Sequence, residues 1–132
     1  MRFISTKMHG VLDYVVAVLL IAAPWLFGFA NGTAAQWIPV VVGVVVIVMS
    51  VLTDYEAGAM KVISMPTHLT MDVIAGIFLA ASPWLFGFAD QVYLPHLVVG
   101  LFSIGSGLFT ETTPHTQSYR DRMHHEDMRH AH

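Results

Sequence analysis

Two histidines in this chain are each followed, four residues later, by an aspartate: His9 with Asp13, and His68 with Asp72. On an α-helix that spacing puts both side chains on one face, within hydrogen-bonding reach. Both pairs open long apolar runs, where ionisable groups are costly and point to a function. Asp54 and Glu111 stand where apolar runs end, just after Thr53 and Thr110. Two histidines and four carboxylates can therefore gather at one depth. Such a set supports several kinds of chemistry. Asp13 and Asp72 can pair with His9 and His68 or cap nearby backbone, fixing how helices pack. The group His9, Asp13, Asp54, His68, Asp72 and Glu111 can hold a divalent metal such as Zn, Mn or Fe. His9 and His68 can act as axial ligands of a b-type haem. A proton relay or small channel is the fourth reading. A looser set, His124, His125, His130 and His132, lies in the polar tail. His-rich tracts bind Zn, Cu or Ni, although this spacing matches no closed zinc motif.

The elements that must position these groups are apolar. The 132 residues are 55% hydrophobic and 11% charged, against about 25% charged in an ordinary soluble domain. No Asp, Glu, Lys or Arg occurs between Asp13 and Asp54, and only Asp90 interrupts the stretch from Asp72 to Glu111. Each stretch is long enough to cross a bilayer twice. The expected fold is all-α: a polytopic membrane protein with transmembrane helices near 6–29, 37–53, 67–88 and 94–110. Arg2 and Lys7 ahead of an apolar run imitate a signal peptide. The recurrence of the same segment at 65–89 argues instead for a retained span.

That recurrence is literal. Pro24-Trp25-Leu26-Phe27-Gly28-Phe29-Ala30 returns as Pro83-Trp84-Leu85-Phe86-Gly87-Phe88-Ala89. The reading is a tandem duplication of a helical hairpin: a first repeat at 1–56, a connector at 57–66, a second repeat at 67–112 and a His-rich tail at 113–132. All six Lys and Arg fall outside the two hairpin loops. The positive-inside rule then puts both termini and the connector in the cytoplasm, and the repeats run parallel. At 100° per residue, Asp13, Leu20 and Pro24 lie within about 60° of His9. The stripe shared by both copies faces protein, and the opposite surface, with Val11, Val16 and Val18, faces lipid. Pro24 and Pro83 predict a kink or helix end. Trp25 and Trp84 suit the headgroup level, and Gly28 and Gly87 a turn. An alternative use of this phrase is an aromatic pocket of Trp25, Phe27, Trp84 and Phe86 for a flat lipid such as a quinone.

Ser82-Pro83-Trp84 inside a two-helix unit resembles the SPW repeat family of small bacterial and archaeal membrane proteins, in which the motif lies in the first of two transmembrane helices. The resemblance covers about residues 5–112. The first copy departs from it, reading Ala23-Pro24-Trp25, which argues against a catalytic role for Ser82. The resemblance implies a multi-pass protein of the cytoplasmic membrane and carries no established activity.

The chain has no cysteine, so thiol chemistry is excluded, and a net charge of -3 suggests no nucleic-acid partner. No nucleophile–base pair, phosphate loop or metal-hydrolase motif is present. The expected role is non-enzymatic: a structural or interaction module in contact with the bilayer, assembling with itself or another membrane protein. Gly100, Ser103, Gly105, Ser106 and Gly107 make the fourth segment suited to close helix approach. The alternative role is metal or haem binding by the His/Asp group.

Overall fold

Four helices form in the computed structural model, which describes residues 2–114 and 128–129: α1 (Thr6–Leu26), α2 (Ala34–Leu52), α3 (Met65–Leu85) and α4 (Leu94–Phe109). Serines start the two odd helices. Ser5 Oγ accepts from the Met8 amide at 3.1 Å and Ser64 Oγ from the Thr67 amide at 3.4 Å. Each satisfies one of the donors a helix leaves open at its first turn.

The repeated heptapeptide ends α1 and α3 by one mechanism. Gly28 and Gly87 adopt positive φ, 74° and 72°. The Phe29 amide then turns back to the Pro24 carbonyl at 2.8 Å, and the Phe88 amide to the Pro83 carbonyl at 2.8 Å. This is a Schellman ending, with glycine in the left-handed position and an apolar residue folded beneath it. The helices therefore run past their prolines but stop at Leu26 and Leu85, short of the expected 29 and 88. Pro83 cannot donate to the carbonyl four residues earlier. In α3 that carbonyl, of Leu79, accepts the Ser82 hydroxyl at 2.7 Å.

Helices α1, α2 and α3 are long and apolar enough to cross a membrane, while α4, at 16 residues, is a shorter apolar helix. At about 1.5 Å per residue, α1 is about 31 Å long and α4 about 24 Å. Large apolar side chains point outward, among them Val11, Val18, Val44, Val48, Ile74 and Leu101. The interior combines small residues and polar groups with Leu20, Leu69, Leu79, Met65, Tyr55 and Phe88. Val16, expected on the lipid face, instead lines a small cavity between the helices.

α1 packs chiefly on α2 and α3 on α4. Glycines set both approaches. A Cβ at Gly43 would meet the Ala17 carbonyl at 2.7 Å, and one at Gly100 would meet Ala80 N and Gly76 O at 2.6 Å. The small-residue face of α4 is thus spent inside the α3–α4 pair. The chain ends cross between the pairs. The Ile4 amide bonds the Phe109 carbonyl at 3.0 Å, and the Glu111 amide bonds Ile4 at 2.8 Å. In the counterpart contact, the Asp54 amide bonds the Ile63 carbonyl at 2.7 Å. Arg2 Nη1 donates to the Gly107 and Thr110 carbonyls at 3.1 and 2.7 Å, supplying a cation at the C-terminus of α4.

Candidate functional site: a buried histidine–aspartate quartet

The starts of α1 and α3 come together beside the C-terminal ends of α4 and α2. His9, Asp13, His68 and Asp72 meet there, 1%, 7%, 0% and 3% exposed. His9 Nε2 lies 2.7 Å from Asp72 Oδ2 and 3.1 Å from Asp13 Oδ1. His68 Nε2 lies 3.0 Å from Asp13 Oδ2 and 3.2 Å from Asp72 Oδ2. Each histidine therefore touches the aspartate of its own helix and that of the other. The two imidazoles meet edge to face, centroids 5.4 Å apart.

Two threonines orient the rings. Thr110 Oγ1 donates to the Ser106 carbonyl at 2.5 Å, and Thr53 Oγ1 to the Met49 carbonyl at 2.6 Å. A hydroxyl has one proton to give. Each threonine must therefore accept from an imidazole: His9 Nδ1 at 2.8 Å from Thr110, His68 Nδ1 at 2.7 Å from Thr53. With Nδ1–H committed, Nε2 of both rings is turned on the carboxylates. A bare lone pair there would repel them, so the position calls for a proton or a cation. Tyr55, fully buried just after α2, donates to Asp13 Oδ2 at 2.8 Å. Burial pushes the Tyr55 phenol up, and the charge of Asp13 pushes it the same way.

Four of the six expected polar groups come together. Asp54 and Glu111 do not join them: Asp54 Oδ1 is 3.5 Å from Lys61 Nζ, and the Glu111 backbone pairs with Ile4. Helices α2 and α4 end one residue earlier, so Thr53 and Thr110 are the residues that face inward. A haem does not fit between His9 and His68. Their rings are close, crossed, and have carboxylates against both Nε2 atoms, which leaves no slot for a macrocycle. Nor do Trp25, Phe27, Trp84 and Phe86 form an aromatic pocket, since all four are exposed. His124, His125, His130 and His132 lie outside the described residues.

Beside the aspartates is a cavity of about 20 Å³, lined by Asp13, Asp72, Ser103, Ser106 and apolar side chains, roughly the space one water needs. At the other end of the molecule His96, fully buried, lies 2.9 Å through Nε2 from the Ala35 carbonyl and packs between Phe29 and Phe88. A histidine within a charge-free run is a signal in its own right, and His96 was legible on that ground.

The profile of the SPW repeat domain matches residues 7–110. The chain belongs to the SPW repeat family. Nothing matches it among curated proteins or among solved structures. Membership and the apolar helices together make this a membrane protein, a helical bundle in contact with lipid. In the SPW phrase itself each residue has a structural task here: Ser82 occupies the orphaned Leu79 carbonyl, Pro83 receives the closing bond from Phe88, and Trp84 projects outward beside Tyr93.

Proposed function

We propose that the chain is a structural and interaction module of a bacterial or archaeal cytoplasmic membrane, made of two tandem parallel hairpins clasped by the histidine–aspartate quartet. The repeats are 1–56 and 67–112, joined by the connector 57–66 and followed by the tail 113–132. Both termini are cytoplasmic, and α4 is the fourth span, short and upright. The single observation that carries this reading is the pairing across the quartet. His9 contacts Asp72 and Thr110, and His68 contacts Asp13 and Thr53, so each half binds the same groups of the other. The paired backbone contacts of Ile4 and Ile63 support it further. A buried ion network is weak evidence of net stability, and its best-attested use is to fix register between elements. In a bundle whose outer surface is apolar, that is the useful property. Lipid gives helices no hydrophobic reason to associate in one arrangement, whereas a polar clasp does. The outward faces are left for lipid and for a second copy or another membrane protein.

The absence of cysteine makes topology directly measurable. Cysteines at the exposed loop positions Asn31 and Gln91 should react with an impermeant maleimide on intact cells. One at exposed Met60, in the connector, should react only after permeabilisation. Labelling of Met60→Cys from outside would reverse the orientation, and opposite behaviour of Asn31→Cys and Gln91→Cys would remove the parallel repeats. Native mass spectrometry reads the interaction role: a defined oligomer or co-purified subunit is expected, and a lone monomer at every detergent ratio contradicts it.

A further inference from the structure

The geometry of the quartet points to a ligand that the clasp reading does not require, although the inference takes its scaffold from that reading. We propose that His9, Asp13, His68 and Asp72 form a tetrahedral site for one divalent transition-metal ion of the Zn²⁺ class. The ligands are the two Nε2 atoms and one oxygen from each carboxylate.

Ligand atoms from all four residues lie within 4.8 Å of one another. A tetrahedral ion holding N and O at about 2.0–2.1 Å separates its ligands by about 3.3 Å. The two rings stand 2.7 and 3.2 Å from the same oxygen of Asp72, Oδ2, whereas Asp13 presents Oδ1 to His9 at 3.1 Å and Oδ2 to His68 at 3.0 Å. A turn of the Asp13 carboxylate, with shifts of up to about 0.6 Å, brings one oxygen of each aspartate to that spacing.

The direction of the lone pairs matters more. His68 Nε2 is buried and makes no hydrogen bond, although two carboxylate oxygens stand 3.0 and 3.2 Å away. Those oxygens lie off the line of its N–H. Donors that converge on a shared centre are misaligned with one another in this way. Thr53 and Thr110 complete the arrangement, since a ligating histidine ordinarily gives its other N–H to an oxygen that fixes tautomer and ring angle.

Charge and ligand type select the ion. Two carboxylates balance one dication while both imidazoles stay neutral, so the loaded site is buried without net charge. Two nitrogens and two oxygens suit Zn²⁺, Co²⁺, Fe²⁺ or Mn²⁺, and no thiolate or thioether is present to favour Cu⁺. Ca²⁺ and Mg²⁺ want six or more oxygens, which this pocket lacks.

The test uses the full-length chain in detergent, stripped with chelator, with His115, His124, His125, His130 and His132 changed to Gln to silence the tail. Titration with Co²⁺ should give one equivalent per chain, with the strong visible absorption of a tetrahedral ion, lost on adding Zn²⁺. His68→Gln should abolish it. Thr53→Val and Thr110→Val, which keep every ligand, should weaken binding about 10–100-fold. A folded chain that takes up no stoichiometric Co²⁺ overturns the proposal, as does uptake indifferent to His68→Gln. Thermal unfolding of the metal-free samples separates the two readings. If His68→Gln lowers metal-free stability but the parent binds no Co²⁺, the metal site fails and the clasp stands. If it abolishes binding and leaves metal-free stability unchanged, the clasp fails and the metal site stands.

Discussion

Tyr55 breaks the symmetry of the quartet. Its hydroxyl holds Asp13, while Thr112, in the corresponding place after α4, cannot reach as far. The phenol is buried next to a carboxylate, so its ionisation is opposed in the folded chain. An unfolded tyrosine ionises near pH 10. Its stabilising contribution is therefore whole below about pH 10 and drains away as pH rises further. Between about pH 9 and 11.5 the parent should lose stability faster than Tyr55→Phe, which should itself be about 1–2 kcal/mol less stable at neutral pH. Equal alkaline slopes in the two proteins would mean that Tyr55 is accessible to ionise. At this scale the sequence was partly legible. His9, Asp13, His68 and Asp72 announce themselves by a repeated four-residue spacing in apolar surroundings. Thr53, Thr110 and Tyr55 do not, because their roles come from where the even helices stop. A shift of one residue exchanged the expected Asp54 and Glu111 for the threonines before them.

The helices owe their ends and their approach to local rules that repeat. Schellman closures on Gly28 and Gly87 explain why Pro, Gly and the second Phe recur together in the heptapeptide. The sequence marked the positions of the turns but not the mechanism: Pro24 and Pro83 suggested a kink or helix end with the helices reaching 29 and 88, whereas both helices stop two residues beyond their prolines. The glycines of α4 divide into two kinds. A Cβ at Gly100 would strike backbone of α3 at 2.6 Å, while one at Gly105 meets nothing within 4 Å. Gly100→Ala should then cost about 1–3 kcal/mol from overpacking. Gly105→Ala should be neutral or stabilise by up to about 1 kcal/mol, through helix propensity. SDS-titration unfolding of both proteins checks this. A Gly100→Ala protein as stable as its parent would contradict the close packing of α3 on α4.

On the scale of the whole molecule, the repeated heptapeptide was the most legible feature, because an identical phrase needs no physical inference to be seen. How the two halves meet was less so. The pairs α1–α2 and α3–α4 are tightly packed, and the halves meet through α2 against α3, the exchanged ends, the quartet and His96. Sequence periodicity identifies the inward stripe but not which histidine reaches which aspartate across it. The central claim is that His9 and Asp72, 63 positions apart in the chain, are energetically joined. A double-mutant cycle of His9→Gln and Asp72→Asn, measured by reversible unfolding in detergent with chelator present, tests it most directly. Each single change should cost about 3–5 kcal/mol, as expected on breaking a buried pair. The double variant should then fall short of their sum by about 1–3 kcal/mol. Additivity within about 0.5 kcal/mol would mean that the two residues do not hold the halves together.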